Sequence, residues 1–252
     1  MQAYRNSFAE VYDRKWNEFS DVVAPLICDY FEEKGQGLQK RLLDVGCGTG
    51  RLAKYFCNEG FRVIGIDRSE SMLEHARESC KPFVDSGKAE FIAADAAGFS
   101  MRQTFPLITA TYDMLNHLED IDKLRGCFFS VYRLMEREGM FIFDMNTEKG
   151  LRQGWHSHSI REDKESLIIM SSYYDEEIKR AWLKNHGFIK QDNGLYMRFE
   201  EVVYNTMFPL STVRSLLMEC GFNQIHFARI GDLETPLPEP ENEHRVFCVA
   251  RI

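Results

Sequence analysis

The feature that most constrains the fold is a glycine-rich turn between a strand-like and a helix-like segment. An apolar run that starts at Leu42 ends in Gly46, Gly48 and Gly50, and the residues from Arg51 onward are typical of the first turns of a helix. Glycine lets the backbone turn sharply and lets a ligand approach the main chain, while a helix start leaves N–H groups without intrahelical partners. The segment therefore predicts a cleft for a cofactor.

Carboxylates follow the next two predicted strands. The strand-like run 61–66 ends at Asp67, which is well placed to accept hydrogen bonds from both hydroxyls of an adenosine ribose. Asp95 follows the short run 89–94, where a carboxylate can meet the exocyclic amine of a purine that lies along the sheet edge. Both are interpreted as ligand-binding positions rather than catalytic ones.

Strand and helix signals alternate along the first 150 residues, which predicts a parallel sheet with helices on both faces. Ser69 is predicted to cap the helix after the second strand. Gly139 is predicted to mark the turn between a helix over 121–137 and a strand over 140–143.

The end of the chain predicts a helix followed by two strands. Ser211 is the expected N-cap of a helix over 212–219, which Gly221 ends. The strands 224–230 and 245–251 are joined by a proline-rich loop, so we expect an antiparallel pair at the sheet edge.

Residues from about 155 to 204 carry few helix signals. The runs 166–174, 178–189 and 195–204 have strand character, and Asp192-Asn193-Gly194 is a two-residue hairpin signal, so we predict an antiparallel insertion. Its many aromatic residues either pack on the main domain or on another subunit, or form walls of a substrate pocket.

Composition limits the classes of partner. The chain has 252 residues, 44% hydrophobic and 28% charged, with a formal net charge of -8, which argues against a long nucleic-acid footprint. No apolar run is long enough to span a bilayer, and the first residues lack a secretory signal, so we predict a cytoplasmic protein with no membrane partner. Seven scattered cysteines without a Cys-x-x-Cys pair agree with a reducing compartment.

The N-terminal residues are predicted to be helical. Tyr4, Phe8, Tyr12 and Trp16 recur at a spacing of four and therefore share one helix face. That face either packs on the body of the domain or forms a lid over the glycine loop. A second helix is expected over 22–34, ending at Gly35.

Together these motifs resemble the class I S-adenosylmethionine-dependent methyltransferases. The resemblance is carried by five segments: 44–50 with its glycines, 65–73 around Asp67, 94–96, 143–146 and 219–222. The glycine spacing agrees, because Arg51 stands where a dinucleotide-binding loop would place its third glycine. The resemblance implies an α/β fold: a Rossmann-like, doubly wound, seven-stranded sheet with an antiparallel last strand, an antiparallel β insertion and an N-terminal helical lid.

The resemblance also implies a site for S-adenosyl-L-methionine. The glycine loop would contact its amino-acid end, Asp67 its ribose, Met72 its adenine and Asp95 the adenine amine. Asp44 would order the loop. The cofactor-binding set predicted on this basis is Tyr12, Gly46, Cys47, Gly48, Gly50, Asp67, Arg68, Met72, Asp95, Ala96 and Tyr112.

Two segments are similar to small-molecule N-methyltransferases that act on glycine and on amino sugars. They are residues 8–13 and 115–118, and the residues matching Tyr12 and His117 lie near the transferable methyl group in such enzymes. We predict methyl transfer to a small-molecule amine, with His117 and Tyr12 as catalytic residues. His117 would accept or orient the substrate proton, or else only order the loop.

Alternatives remain at this stage. They are an O-methyltransferase, a non-catalytic S-adenosylmethionine-binding protein and, less favoured, a nicotinamide-dependent oxidoreductase. No metal is predicted, although Asp113, Asp144 and Asn146 could hold Mg²⁺ as in catechol-type enzymes, and His156 and His158 are expected to be solvent-exposed.

The predicted organisation has three parts. Residues 1–36 form the helical lid, 37–150 with 209–252 the cofactor-binding domain, and 151–208 the insertion, which serves the substrate or a homodimer contact.

Overall fold

The computed structural model describes residues 18–191 and 193–252. Three predictions lie outside these residues: the helix face formed by Tyr4, Phe8, Tyr12 and Trp16, the role of Tyr12, and the place of Asp192 in the hairpin turn.

The helical elements are α1 (Glu18–Lys34), α2 (Arg51–Asn58), α3 (Glu70–Ser79), α4 (Lys81–Asp85), α5 (Ile121–Leu134), α6 (Glu148–Gly154) and α7 (Leu210–Cys220), with 3-10 turns at Met114–His117 and Pro240–Asn242. The strands are β1 (Arg41–Val45), β2 (Arg62–Asp67), β3 (Ala89–Ala93), β4 (Phe105–Ala110), β5 (Met135–Asn146), β6 (His158–Glu162), β7 (Ser166–Asp175), β8 (Arg180–Lys190), β9 (Tyr196–Thr206), β10 (Gln224–Ala228) and β11 (Arg245–Arg251).

The main sheet has seven strands in the order β10-β11-β5-β4-β1-β2-β3. The strands β1 to β5 pair in parallel, and β11 lies antiparallel between β5 and β10. The predicted Rossmann-like, doubly wound sheet with an antiparallel last strand is therefore confirmed. The order reverses beside β1, so the carboxyl ends of β1 and β4 meet at the switch point where such sheets bind ligands.

Successive apolar side chains of each strand point to opposite faces of the sheet, and helices cover both faces. The main sheet therefore lies between two hydrophobic cores. One core contains residues of α5 and α7, such as Phe128 and Leu217, and the other contains residues of α1 and α2, such as Ile27 and Phe56. Within the described part of the chain, no helix combines the length and apolarity needed to cross a membrane.

The insertion is a separate four-stranded antiparallel sheet in the order β6-β7-β8-β9. Three of its strands match the predicted runs. The first strand, β6, was not predicted, because four of its five residues are exposed and its polar side chains give no strand pattern.

Two local predictions are wrong for reasons outside the local sequence. Ser211 does not cap α7, because the helix begins at Leu210 and the Glu241 carboxylate, 2.7 Å away, accepts the Leu210 N–H. Gly139 does not mark a turn between a helix and a strand, because the helix ends at Leu134 and the strand begins at Met135. It lies within β5, next to Glu138, which has a φ of 65° at an irregularity in the pairing with β4.

Candidate active site

The glycine loop is folded back onto the end of β2. The N–H groups of Gly46 and Cys47 donate to the Ile66 carbonyl at 2.7 and 2.9 Å, and the Gly48 N–H donates to Asp67 Oδ2 at 3.0 Å. Gly46 must be glycine, since a Cβ there would collide with the Met114 side chain. The loop is thus fixed before any ligand binds.

Gly48 forms the open part of this loop. Its φ is 53°, and apart from Gly48 and its two chain neighbours, no described residue has an atom within 4 Å of the position that a Cβ would occupy. The loop therefore leaves room against the main chain, where a ligand could approach.

Asp67 closes the loop from the other side. Its Oδ1 accepts the Ser69 N–H at 2.9 Å, while Ser69 caps α3 through the Met72 N–H, as predicted. Burial raises the pKa of Asp67, and the N–H groups of Ser69 and Gly48 oppose this shift. Each carboxylate oxygen has further lone pairs, so the group can still accept hydrogen bonds from a ribose.

Four other predicted cofactor residues follow β2 or β3 along the chain. Met72 is buried on α3, and Arg68 is exposed after β2. Asp95 and Ala96 follow β3, and the exposed Asp95 accepts the Ala97 N–H at 2.9 Å. The Cys47 thiol is buried against Gly65, and this burial raises its pKa well above the ordinary value.

The turn after β4 carries Tyr112 and His117. Tyr112 has a φ of 67°, and its ring stacks on Phe19 of α1 with 4.9 Å between centroids. Burial raises the pKa of Tyr112 to about 12, so its hydroxyl stays protonated at neutral pH. The stacking of Tyr112 on Phe19 joins this turn to α1.

His117 lies at the end of the 3-10 turn with its side chain 26% exposed. Its Nε2 is 3.8 Å from Asp113 Oδ2, and the imidazole is hydrogen-bonded to the Tyr204 backbone carbonyl. Burial lowers the pKa of His117, although Asp113 and the Tyr204 carbonyl oppose this shift. His117 and Asp67 are close enough to influence each other's pKa.

Comparison with known proteins identifies this arrangement. A methyltransferase domain family matches residues 42–139, which include the glycine loop, Asp67 and His117. A ubiquinone biosynthesis O-methyltransferase of Vibrio parahaemolyticus is 32% identical over 176 residues, covering 60% of this chain and 72% of that protein. The chain belongs to the class I S-adenosylmethionine-dependent methyltransferases.

Other relatives of the methyltransferase extend over its whole length. A protein of Geobacillus sp. (strain WCH70), described as a methyltransferase, is 28% identical over 249 residues, covering 97% of this chain and 98% of its own. An S-adenosylmethionine-dependent methyltransferase from Clostridium acetobutylicum has the same fold, with a TM-score of 0.83, 21% identity and 98% coverage of both chains. The sugar N-methyltransferase KedS8 from Streptoalloteichus sp. superimposes with a TM-score of 0.77 at 17% identity, covering 100% of this chain and 94% of that one.

The methyltransferase is an enzyme and its cofactor is S-adenosylmethionine, as predicted. The space at Gly48 and the Asp67 carboxylate fit that cofactor, whose α-amino acid end needs close approach to the backbone and whose ribose needs an acceptor. The non-catalytic and nicotinamide-dependent alternatives are set aside.

Several residues around the site escaped sequence reasoning. The Asn116 amide donates to the carbonyls of Asn146 and Thr206 at 3.2 and 3.0 Å, and the Asn146 amide donates to Asn205 Oδ1 at 2.8 Å. These buried amides tie the end of β9 to the His117 turn. Asn116 and Asn146 both stand in segments that the sequence analysis named, but neither their contact with each other nor the role of Asn205 was predicted.

Arg245 is the most consequential of the missed residues. It donates from β11 to both Asp113 and Asp144, the two carboxylates that sequence reasoning considered for Mg²⁺. A guanidinium therefore occupies the position between these carboxylates where a metal ion would have to sit.

Asp44 gives a pH-dependent prediction. It is 2% exposed and accepts a hydrogen bond from Thr109 Oγ1 at 2.9 Å, and burial, with a smaller contribution from Asp67, raises its pKa to about 7. Between pH 4 and 7 the folded state keeps a proton that the unfolded state loses, so this group makes stability fall as pH rises through that range. The slope approaches about 1.4 kcal/mol for each pH unit.

Asp44→Asn removes that titration while keeping an acceptor for Thr109. We expect the stability difference between variant and wild type, measured by chemical denaturation, to shift in favour of the variant from pH 5 to pH 7.5. Asp85→Asn, at an exposed carboxylate, is the control. A difference that is constant with pH contradicts the prediction.

Proposed function

We propose that this methyltransferase transfers the methyl group of S-adenosylmethionine to an amine nitrogen of a small molecule. The observation that carries the proposal is His117, a mostly buried imidazole that faces a carboxylate at the carboxyl end of β4. An amine attacks only when its lone pair is available, and at neutral pH most aliphatic amines carry an extra proton. A neutral imidazole beside the cleft is suited to accept it.

The proposed cofactor site is the predicted set of residues. The glycine loop would contact the amino-acid end, Asp67 the ribose, and Met72, Asp95 and Ala96 the adenine, with Arg68 beside it. When bound, S-adenosylmethionine supplies a methyl group attached to a good leaving group, a sulfonium. The protein's task is then alignment and exclusion of water.

The proposed acceptor site is formed by His117 and Tyr112. His117 takes the proton from the acceptor nitrogen and later releases it to solvent. The Tyr112 ring, held by Phe19, forms one wall of the site and presents a π face or a neutral hydroxyl to positive charge. Tyr12 stays a predicted catalytic and cofactor-binding residue.

Methylation of an oxygen on a small molecule is the second candidate. It is favoured by the 32% identity to an O-methyltransferase of ubiquinone biosynthesis. The same His117 could accept the proton of a hydroxyl group.

A matched panel separates the two candidates. Purified enzyme is incubated with methyl-labelled S-adenosylmethionine and pairs of small acceptors that differ only in an amine or a hydroxyl, including amino sugars, amino acids and phenols. We expect label on nitrogen in at least one amine, with no label on its hydroxyl partner. Label on oxygen alone would establish the second candidate instead.

A homodimer through the insertion is proposed for a separate reason. Strand pairing places five exposed apolar side chains on one face of this sheet, between 42% and 68% exposed: Ile160, Tyr173, Phe188, Tyr196 and Val202. The charged side chains of Lys184, Arg198 and Glu200 lie on the same face, and apolar side chains mixed with charged ones in this way are compatible with a protein–protein interface. All seven cysteines are unpaired, which supports the cytoplasmic location proposed for this enzyme.

Light scattering after size exclusion tests the dimer. We expect the wild type to have twice the chain mass and Phe188→Glu/Tyr196→Glu to be monomeric. Met218→Glu, which changes an exposed apolar residue on α7, should stay dimeric. A monomeric wild type at tens of micromolar contradicts the proposal.

A further inference from the structure

The turn after β4 is held in an unusual conformation by a single carboxylate. Tyr112 and Asp113 have φ values of 67° and 47°, which side chains with a Cβ seldom adopt. The two oxygens of Asp144, which is fully buried, accept the N–H groups of these two residues. Backbone strain of this kind in two consecutive residues is typical of functional sites, where it fixes the direction of the side chains.

Arg245 connects this turn to the last strand. Its guanidinium donates to Asp113 Oδ1 at 2.7 Å and to Asp144 Oδ2, and it lies 4.8 Å from the centroid of the Phe19 ring. Its pKa stays above the ordinary value, because Asp113 and Asp144 outweigh the burial that would lower it. The arginine therefore fixes one oxygen of Asp113 and leaves the other, Oδ2, directed to His117 at 3.8 Å.

We propose that Asp113 and His117 form a dyad, in which Asp113 stabilises the imidazolium that forms when His117 takes the acceptor proton, and that Arg245 is the positioning residue for this carboxylate. This inference rests on the proposed function. It assigns to Asp113 and Arg245 roles in the proton step rather than in folding alone.

The charges agree with this assignment. Two carboxylates and one guanidinium leave one negative charge beside His117, which an imidazolium neutralises. Asp67 at the end of β2 and the Tyr204 carbonyl of β9 also raise the pKa of His117, whereas Arg245 lowers it. When the proton moves, the acceptor N–H bond breaks, its electron pair stays on nitrogen, and the proton binds the imidazole lone pair. The new positive charge then lies next to Asp113.

Asp113→Asn tests the dyad with little disturbance of the backbone, since asparagine tolerates a positive φ. The pKa of His117 is measured by NMR titration, with the resonance assigned through His117→Gln. We expect the variant to lower this pKa by about 1, the effect of losing an opposite charge at this distance. The acid limb of kcat against pH should move down by the same amount, which a purely structural loss would not cause.

Asp120→Asn is the matched control, because it removes a carboxylate of the same chain segment that caps α5 and keeps the capping acceptor. It should leave the His117 pKa unchanged. If Asp113→Asn does not fold, Asp113→Gly, which also suits a φ of 47°, should give the same shift. A folded variant with an unchanged His117 pKa overturns the dyad.

Arg245→Lys tests the positioning role. Lysine keeps the charge but lacks the planar fork that contacts both carboxylates. We expect kcat to fall about tenfold with KM for S-adenosylmethionine unchanged, and an unchanged kcat overturns this role.

The NMR titration needs no acceptor: a shifted pKa without methylation of any amine counts against the proposed acceptor class alone, whereas amine methylation with an unchanged pKa counts against the dyad alone.

Discussion

Asp144→Ala is expected to lower the free energy of unfolding by about 3–5 kcal/mol, the loss typical of breaking a buried ion pair from one side. The substitution removes the acceptor of two backbone N–H groups and one of the two carboxylate partners of Arg245. It also leaves the positive φ values of Tyr112 and Asp113 without the two hydrogen bonds that stabilise this conformation.

Guanidinium denaturation of the cofactor-free protein measures this loss. The control is Asp85→Ala, which breaks the pair of exposed side chains Lys81 and Asp85 on α4 and should change the midpoint little. If both variants unfold at the same midpoint, Asp144 does not hold the turn in the way described here.

His117→Ala is expected to lower kcat by about 10² to 10⁴-fold, the range typical of a lost general base. The affinity for S-adenosylmethionine should stay within about twofold, because the proposed cofactor contacts come from the glycine loop and Asp67. Turnover is measured with the amine acceptor identified by the panel, and cofactor binding by calorimetry.

His158→Ala is the matched control, at an exposed histidine of the insertion whose Nδ1 lies 3.0 Å from Ser171 Oγ. It should keep wild-type turnover. If His117→Ala keeps wild-type turnover at every pH, the residue only orders its loop, as the alternative interpretation of the sequence holds.

The parts of the site that sequence reasoning anticipated are encoded locally. Gly46, Gly48 and Asp67 lie at strand ends, and strand ends are visible from apolar periodicity and glycine spacing alone. The sheet could be predicted for the same reason, since a chain of alternating strands and helices can adopt only a few topologies. The cap at Ser69 is local too, because its side chain accepts the N–H of Met72, three residues further along the chain.

The parts that were missed depend on contacts between distant segments. Arg245 meets Asp113 across 132 residues and Asp144 across 101, and nothing in the proline-rich loop before Arg245 indicates such partners. The failed prediction at Ser211 has the same cause, because the first N–H of α7 is satisfied by Glu241 from a remote loop. A capping rule that considers neighbouring residues only cannot anticipate that acceptor.

The amides around His117 show the same limit. Asparagine next to a histidine is unremarkable in a sequence, yet Asn116 links the ends of β5 and β9 in the fold. The insertion therefore reaches the proposed catalytic histidine through backbone carbonyls, which carry no residue-specific signal.

The most direct test of the proposed cofactor site is calorimetric titration of S-adenosylmethionine into the wild type and into Asp67→Ala, with Asp122→Ala as an exposed-carboxylate control. We expect micromolar binding to the wild type and the control. Binding to Asp67→Ala should be weaker by about 100-fold, which corresponds to about 2.7 kcal/mol for the lost ribose hydrogen bonds. Equal affinity of Asp67→Ala and wild type would contradict the assignment of Asp67 and the glycine loop to the cofactor.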